Sequence, residues 1–177
     1  YIYVENSNVG NAAQNPLDFV AVQYGHLLGN KFHDGGDWCA YLKGGSAYFT
    51  IEGNEFTNCF VGGFTAGQGT GLEYMTSPWI HHEAYDLKFV NNVVHDVTGA
   101  AVGVNGGYNI LFAYNTFYRV GTRSHAIEVV YGLRSCDAGH EADCRRRVNE
   151  GGWGREGSGE EPIGNRNVTI VDNVLLN

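Results

Sequence analysis

The chain has 177 residues, enough for one hydrophobic core, and a formal charge of −8, which excludes non-specific binding to nucleic acid. No apolar run approaches the roughly eighteen residues of a membrane-spanning helix, and no signal peptide is visible. The chain starts within a strand-like run, YIYV, and stops just after a turn Asn. We therefore expect an excerpt of a longer solenoid, whose open ends would allow end-to-end self-association.

An internal repeat runs along the chain after an incomplete first coil in residues 1–24. Each copy has an alternating apolar run, then an Asn with an apolar residue two positions after it, then a small-residue segment ending in Gly. The two clearest copies lie between residues 85 and 131. The period is about 23 residues, and two of the gaps are one period plus an insertion. The equivalent residues are Asn30, Asn54, Asn92, Asn115 and Asn173.

Each copy contains three short strand-like segments separated by turns, which favours a parallel β-helix in which every strand pairs with its counterpart one coil away. Leucine-rich repeats are the other solution at this period, but their Leu spacing is missing. An Asn at a fixed turn tolerates the left-handed backbone region and can form a hydrogen-bonded ladder. The predicted core contains Phe32, Phe56, Val94, Phe117, Leu42, Val102 and Ile127.

This repeat with its turn Asn resembles the right-handed parallel β-helix superfamily typified by pectate lyases, in which an Asn ladder occupies the turn between the second and third strands. The resemblance covers nearly the whole chain and implies an all-β, right-handed parallel β-helix. It implies an activity only weakly, because this architecture carries many chemistries and includes members with none known.

We predict one domain over residues 1–177 with insertions at 68–84 and 133–166, both at the turn between the first and second strands. The coil between them has only the short turn 105–107 there. The insertions should therefore form two walls about 10 Å apart. A groove of this width fits a single extended saccharide chain. The strand residues predicted to face outward beside it are Tyr41, Lys43, Thr65, Gly103, Asn105 and Glu128.

The four cysteines are of two kinds. Cys136 and Cys144 are eight residues apart in a polar, Gly-rich loop, which a disulfide would order. Zinc bound with His140 is the alternative, although the paired CxxC spacing is missing. Cys39 and Cys59 lie in different coils and are interpreted as buried free thiols. A loop disulfide implies an oxidising compartment and thus a secreted or cell-surface protein.

Two clusters could carry chemistry. His81, His82 and Glu83 lie at the root of the first wall, where they could act as base, acid or metal ligand. Alternatively, these histidines have no chemical role, and one packs against Trp79 while the other is exposed to solvent. In the second cluster, an Arg could bind a carboxylate bidentately and a neighbouring residue could act as a base. Alternatively, the Arg is simply exposed and the His lies at the edge of the sheet. The residues of this second cluster are Arg123, His125 and Glu128. The His33-Asp34 and His95-Asp96 pairs are interpreted as features of the repeat.

The groove and the resemblance together favour a carbohydrate-active enzyme, foremost a polysaccharide lyase acting on an acidic, uronate-containing glycan. Aromatic residues could stack on the sugars, namely Tyr41, Tyr74, Trp79 and Trp153. Elimination needs a base, which removes the proton next to the uronate carboxylate, and a cation, which neutralises that carboxylate. The cation could be Arg123 or a Ca²⁺ ion bound by Asn105 and Glu128. Hydrolysis by Glu83 and Glu128 ranks lower. A non-catalytic structural or glycan-binding surface protein is the alternative from another class.

Overall fold

The computed structural model describes residues 1–153 and 162–177, and the predicted β-helix is confirmed. It contains nineteen strands, a 3₁₀ turn at Leu72–Tyr74 and one α-helix, α1 (Glu141–Gly151). In chain order the strands are β1 (Ile2–Glu5), β2 (Asn8–Ala12), β3 (Leu17–Val20), β4 (Gln23–Leu28), β5 (Lys31–Gly35), β6 (Trp38–Lys43), β7 (Ser46–Glu52), β8 (Glu55–Cys59), β9 (Gly62–Ala66), β10 (Gly69–Gly71), β11 (Ala84–Val90), β12 (Val93–Val97), β13 (Ala100–Asn105), β14 (Gly107–Ala113), β15 (Thr116–Val120), β16 (Ile127–Val130), β17 (Leu133–Ser135), β18 (Arg166–Val171) and β19 (Val174–Leu176).

The coils stack into three parallel sheets that form the sides of the solenoid. Sheet A contains β1-β4-β7-β11-β14-β18, sheet B contains β2-β5-β8-β12-β15-β19, and sheet C contains β3-β6-β9-β13-β16. The strands β10 and β17 pair separately, outside these sheets. Because every strand pairs with the strand one coil away, equivalent residues of the repeat form columns along the axis.

The predicted Asn column is confirmed and links sheets A and B. Each side-chain amide bonds to the next Asn, for example from Asn30 Nδ2 to Asn54 Oδ1 at 2.9 Å and from Asn115 Nδ2 to Asn173 Oδ1 at 2.9 Å. The acceptor oxygen also takes the backbone N–H of the preceding Asn, as Asn92 Oδ1 does from Asn54 at 2.8 Å. Four of the five ladder side chains are almost fully buried, and these bonds satisfy their polar groups, so the column stabilises the turn.

The left-handed backbone at this turn belongs to the residue before each ladder Asn, not to the Asn itself. Gly29, Gly53, Asn91 and Tyr114 all have φ between 55° and 65°. The expectation that the ladder Asn adopts this conformation is therefore wrong. The Asn contributes hydrogen bonds to the turn, and the residue before it adopts the positive φ that the turn requires.

The interior is a stack of aromatic and aliphatic side chains in successive coils. The rings of Phe32 and Phe56 stack with centroids 5.1 Å apart, and Phe64 stacks on Phe89 at 4.9 Å. All but one of the predicted core residues are fully buried. The exception is Ile127, which is 36% exposed, so its assignment to the core was wrong. It lies in β16, the last strand of sheet C in the described residues, where no further strand covers it.

Two disulfides cross-link the chain. The predicted Cys136–Cys144 bond is present. The interpretation of Cys39 and Cys59 as free thiols is wrong, because they are bonded with Cα atoms 5.4 Å apart. Cys39 lies near the start of β6 and Cys59 ends β8, and the turn from sheet B to sheet C brings these two strand ends together.

A thiol titration tests both bonds. We expect no free thiol in the denatured, unreduced chain and four after reduction, since all four cysteines are paired. Two free thiols before reduction would contradict the Cys39–Cys59 assignment. The Cys39→Ala variant distinguishes the pairs, because it should expose one thiol only, that of Cys59.

Candidate functional site

The two insertions pack against each other and do not stand apart as walls. Their strands β10 and β17 pair in parallel, with Thr70 opposite Arg134. Tyr74 donates a hydrogen bond to Asp137 at 3.0 Å across the same junction. Helix α1, where the sequence suggested only an irregular polar loop, completes a second small core. Its members are Leu72, Met75, Ile80 and Cys144, with Cys136, Val148 and Trp153 packed against them.

The predicted open groove over residues 105–107 is therefore wrong. A Cβ added at Gly106 would lie 2.9 Å from the Cα of Gly132, so the chain at the root of the second insertion lies directly against this turn. The Gly107 N–H donates to Asn165 Oδ1 at 2.7 Å. Because glycine has no side chain, the backbones of successive coils can approach closely here. The glycines that suggested room for a ligand therefore allow contact between coils.

Glu83, predicted to face the groove, is fully buried beneath this junction. Its Oε1 is paired with Arg134 Nη1, and its Oε2 accepts hydrogen bonds from Gly44 N at 2.9 Å and Thr70 Oγ1 at 2.7 Å. Arg134 donates from Nη2 to the Ile80 carbonyl at 3.1 Å. Burial lowers the pKa of Arg134 to about 10, so it remains charged at neutral pH. The pair joins the insertions to the coils, and Glu83 has no solvent-exposed surface.

The neighbouring histidines have different surroundings. His81 is exposed and its ring lies 4.6 Å from that of Trp153. His82 is half-buried between Tyr85 and Tyr108. Burial, reinforced by the charges of Arg166, Arg134 and His81, lowers the pKa of His82 to about 4. At neutral pH His82 is therefore uncharged.

The tryptophans predicted to bind sugar in the groove lie elsewhere. Trp79 packs edge-on against Tyr24 and Tyr48, at centroid distances of 6.4 and 6.2 Å, on the outer face of sheet A. Trp153 belongs to the small core of the insertions.

The outer face of sheet C carries four of the predicted outward residues in one column, namely Tyr41, Thr65, Gly103 and Glu128. The structure adds Asp18, which lies opposite Tyr41 one coil earlier. Buried side chains fill the surface of this face in its first coils. Trp38 is 3% exposed and lies across the glycines above it, since a Cβ at Gly103 would be 2.9 Å from Trp38 Cη2. Tyr41 donates to Asp18 at 2.9 Å. Burial and this carboxylate raise the pKa of Tyr41, which therefore stays protonated.

Lys43 and Asn105 lie at the edge of the same face. Lys43 Nζ is 4.7 Å from the ring centroid of Tyr41, and Lys43 borders a depression of about 340 Å³ with Val20, Thr70 and Tyr74. Asn105 Oδ1 accepts a hydrogen bond from Thr65 at 3.2 Å. Asn105 is in register with Val130, two residues beyond Glu128 on the neighbouring strand.

The second predicted cluster remains accessible at the end of this face. His125 Nε2 and Glu128 Oε2 are 2.9 Å apart, and their side chains are 51% and 22% exposed. Arg123, in the same turn, is anchored by its N–H to the Thr98 carbonyl at 2.8 Å, with its guanidinium 4.9 Å from the Phe60 ring centroid. The turn thus presents a carboxylate-bound imidazole and an arginine whose guanidinium lies over the Phe60 ring.

Comparison with known families agrees with this architecture. The family described as "Right handed beta helix region" matches residues 1–138, most of the chain. The chain belongs to this family. No curated protein and no solved structure matches it significantly.

Membership of the right-handed β-helix family supports a general role as a carbohydrate-active or structural β-helix. The matched segment includes sheet C through β16 and ends before α1. Of the described helices, none has the length and apolar character needed to cross a membrane.

The sequence interpretation missed Arg134 and Trp38. Arg134 sits in a polar insertion with several other arginines, and nothing in the pattern distinguishes the buried one. The position of Trp38 could be predicted from the sequence. Gly62 is its partner in the next coil and Gly103 lies in the adjoining outward column, and these glycines leave space for a large ring. The His33-Asp34 and His95-Asp96 pairs are repeat features as interpreted, each a hydrogen-bonded pair on sheet B.

Proposed function

We propose that the protein binds an acidic polysaccharide at the upper end of the sheet C face and cleaves it by β-elimination. The observation that carries this proposal is the exposed His125–Glu128 pair with Arg123 in the same turn. Two of the other candidate acid–base residues are less suitable, because Glu83 is buried in an ion pair and His82 is half-buried among aromatic rings.

His125 would serve as the base. In this role, Glu128 accepts a hydrogen bond from the Nε2–H of His125, so the lone pair of the ring is presented on Nδ1. A carboxylate in this position also stabilises the imidazolium formed when the base takes up a proton. A general base positioned in this way typically contributes a factor of about 10² to 10⁴ to the rate.

Arg123 would neutralise the uronate carboxylate. Binding that carboxylate lowers the cost of removing the proton from the adjacent carbon. Nδ1 of His125 takes this proton, the electron pair forms a carbon–carbon double bond, and the glycosidic bond at the β-carbon breaks. The proton then passes from the imidazolium to the departing oxygen. No water is consumed, so the step balances as an elimination.

We further propose that the protein works outside the cytoplasm, secreted or at the cell surface. Two disulfides in a chain of this size support an oxidising compartment. Large acidic polysaccharides are also found there.

We expect His125→Ala to lower the rate of unsaturated-uronate formation by about 10²-fold or more, because the base is lost. Glu128→Gln should lower the rate less, since the imidazole remains. The matched control is His33→Ala, which removes a histidine paired with a carboxylate on sheet B. The assay is the ultraviolet absorbance of the new double bond on a panel of acidic polysaccharides. Equal rates for His125→Ala and His33→Ala would refute the assignment, provided both variants keep the parent's melting temperature.

A further inference from the structure

The outer face of sheet A carries an exposed row of aromatic side chains in its first coils. Tyr24 and Tyr48 stack with centroids 4.8 Å apart and are each 42% exposed. Trp79 lies edge-on to both rings and fixes them. This row is remote from the proposed catalytic turn, which belongs to another side of the solenoid.

The aromatic row ends at Tyr48, and in the next coil the equivalent position is occupied by a polar residue. Ala47 and Phe49 are in register with Tyr85 and Leu87, so Asp86 takes the place of Tyr48 one coil on. Tyr24 covers one face of the Tyr48 ring from the coil below. Above Tyr48 lies a depression of about 430 Å³, bordered by Tyr48, Thr50, Asp86, Lys88 and Asn109.

The polar side chains of this depression are held in place by their neighbours. Asn109 Nδ2 donates to Asp86 Oδ1, and Asn167 Nδ2 donates to Asn109 Oδ1 at 2.9 Å. Asp86 and Asn109 both have left-handed backbones, with φ of 51° and 57°, which fixes the direction of their side chains. Lys88 is exposed and lies in register with Thr50.

We infer that this depression is a second glycan-binding site, which holds one hexuronate unit of an acidic polysaccharide. An aromatic face beside fixed hydrogen-bonding groups suits a sugar ring, whose faces are apolar and whose edges carry hydroxyls. Tyr48 stacks on the ring, Asp86 and Asn109 bind hydroxyls, and Lys88 binds the carboxylate. The coil spacing of about 4.8 Å places further sugar units along the same face.

This site would bind without cleaving, and it would hold the chain that the sheet C face processes. Two weak sites on one polymer raise the effective affinity, because the second contact is intramolecular. The inference rests on the proposed function for the acidic nature of the glycan and for its cleavage at sheet C.

The test is an amide NMR titration of the His125→Ala protein, in which turnover is blocked, with oligogalacturonate and separately with a neutral cello-oligosaccharide. We expect saturable shifts at Thr50, Lys88 and Asn109 with the oligogalacturonate. Adding Tyr48→Ala should raise the dissociation constant at these amides about tenfold, equal to about 1.4 kcal/mol. The matched control is Tyr114→Ala, which also removes an exposed tyrosine with a left-handed backbone.

Lys88→Met is the second variant, because an exposed lysine can be replaced without unfolding the protein. It should weaken oligogalacturonate binding to the level of the neutral sugar. Absent shifts at the three amides, or equal effects of Tyr48→Ala and Tyr114→Ala, would overturn the site. Equal binding of both sugars by the parent would overturn the assignment to a hexuronate. Shifts at sheet C without shifts at sheet A leave the proposed function intact while this inference fails.

Discussion

Replacing Glu83 by Gln should destabilise the protein by about 3–5 kcal/mol, because it leaves the buried Arg134 guanidinium without its counter-charge. Both side chains of the pair are fully buried. The measurement is the free energy of unfolding from denaturant titration. Replacing Arg134 by Met in the same chain should restore part of the loss, since the isolated charge is then removed.

The matched control for this experiment is Arg146→Met, which breaks the exposed Asp143–Arg146 pair on α1. An exposed pair of this kind contributes about 0.2–1 kcal/mol. If Glu83→Gln were as stable as the control and had lost activity, Glu83 would be a catalytic residue, as its place in the sequence first suggested.

Phe56→Ala should destabilise the protein by about 3–5 kcal/mol, the range for removing a buried aromatic ring and leaving a cavity. Phe56 is fully buried and its ring lies within 5.1 to 6.2 Å of the rings of Phe32, Phe89 and Phe64. Closely packed coils on either side limit how far the cavity can collapse. Denaturant unfolding again provides the measurement.

The control here is Phe60→Ala, four residues further along, where the ring is 53% exposed. Its loss should change stability by about 0.5 kcal/mol or less, as surface substitutions usually do. Equal destabilisation by the two variants would mean that the alternation has been assigned to the wrong face.

The repeated part of the chain was predictable because the same constraint acts in every coil. A ladder Asn must recur at one turn, and an inward Phe or Val must follow it two residues later. Five ladder residues and six core residues were therefore placed correctly, and so was the outward column of sheet C. Ile127 fails because it belongs to an edge strand, where the pattern persists although nothing covers the side chain.

The insertions were not predictable in the same way, because they lack a period. Their pairing depends on contacts between segments about sixty residues apart, such as Thr70 with Arg134. The short turn with Gly106 and Gly107 was interpreted as room for a ligand, yet it permits backbone contact. Glu83 was placed correctly in the fold, but its burial depends on Arg134, a partner 51 residues away.

The candidate site was predicted in part. Alternation along β16 placed Glu128 outward, and the spacing to His125 allows the hydrogen bond that the structure shows. Trp38 and the Tyr41–Asp18 pair close the lower part of the same face. The glycine columns indicate space for a large ring there, but they do not predict the Tyr41–Asp18 hydrogen bond. The aromatic row on sheet A was missed, because Tyr24 and Tyr48 are brought together only by the stacking of coils.

The most direct test of β-elimination is the mass of the products formed from defined oligouronates. An elimination predicts pairs of fragments whose masses sum to that of the substrate, with one fragment bearing an unsaturated uronate at its new end. Fragment pairs heavier than the substrate by one water would show hydrolysis, and intact substrate across a panel of acidic glycans would show binding alone. Either of these last two results would contradict the proposed function.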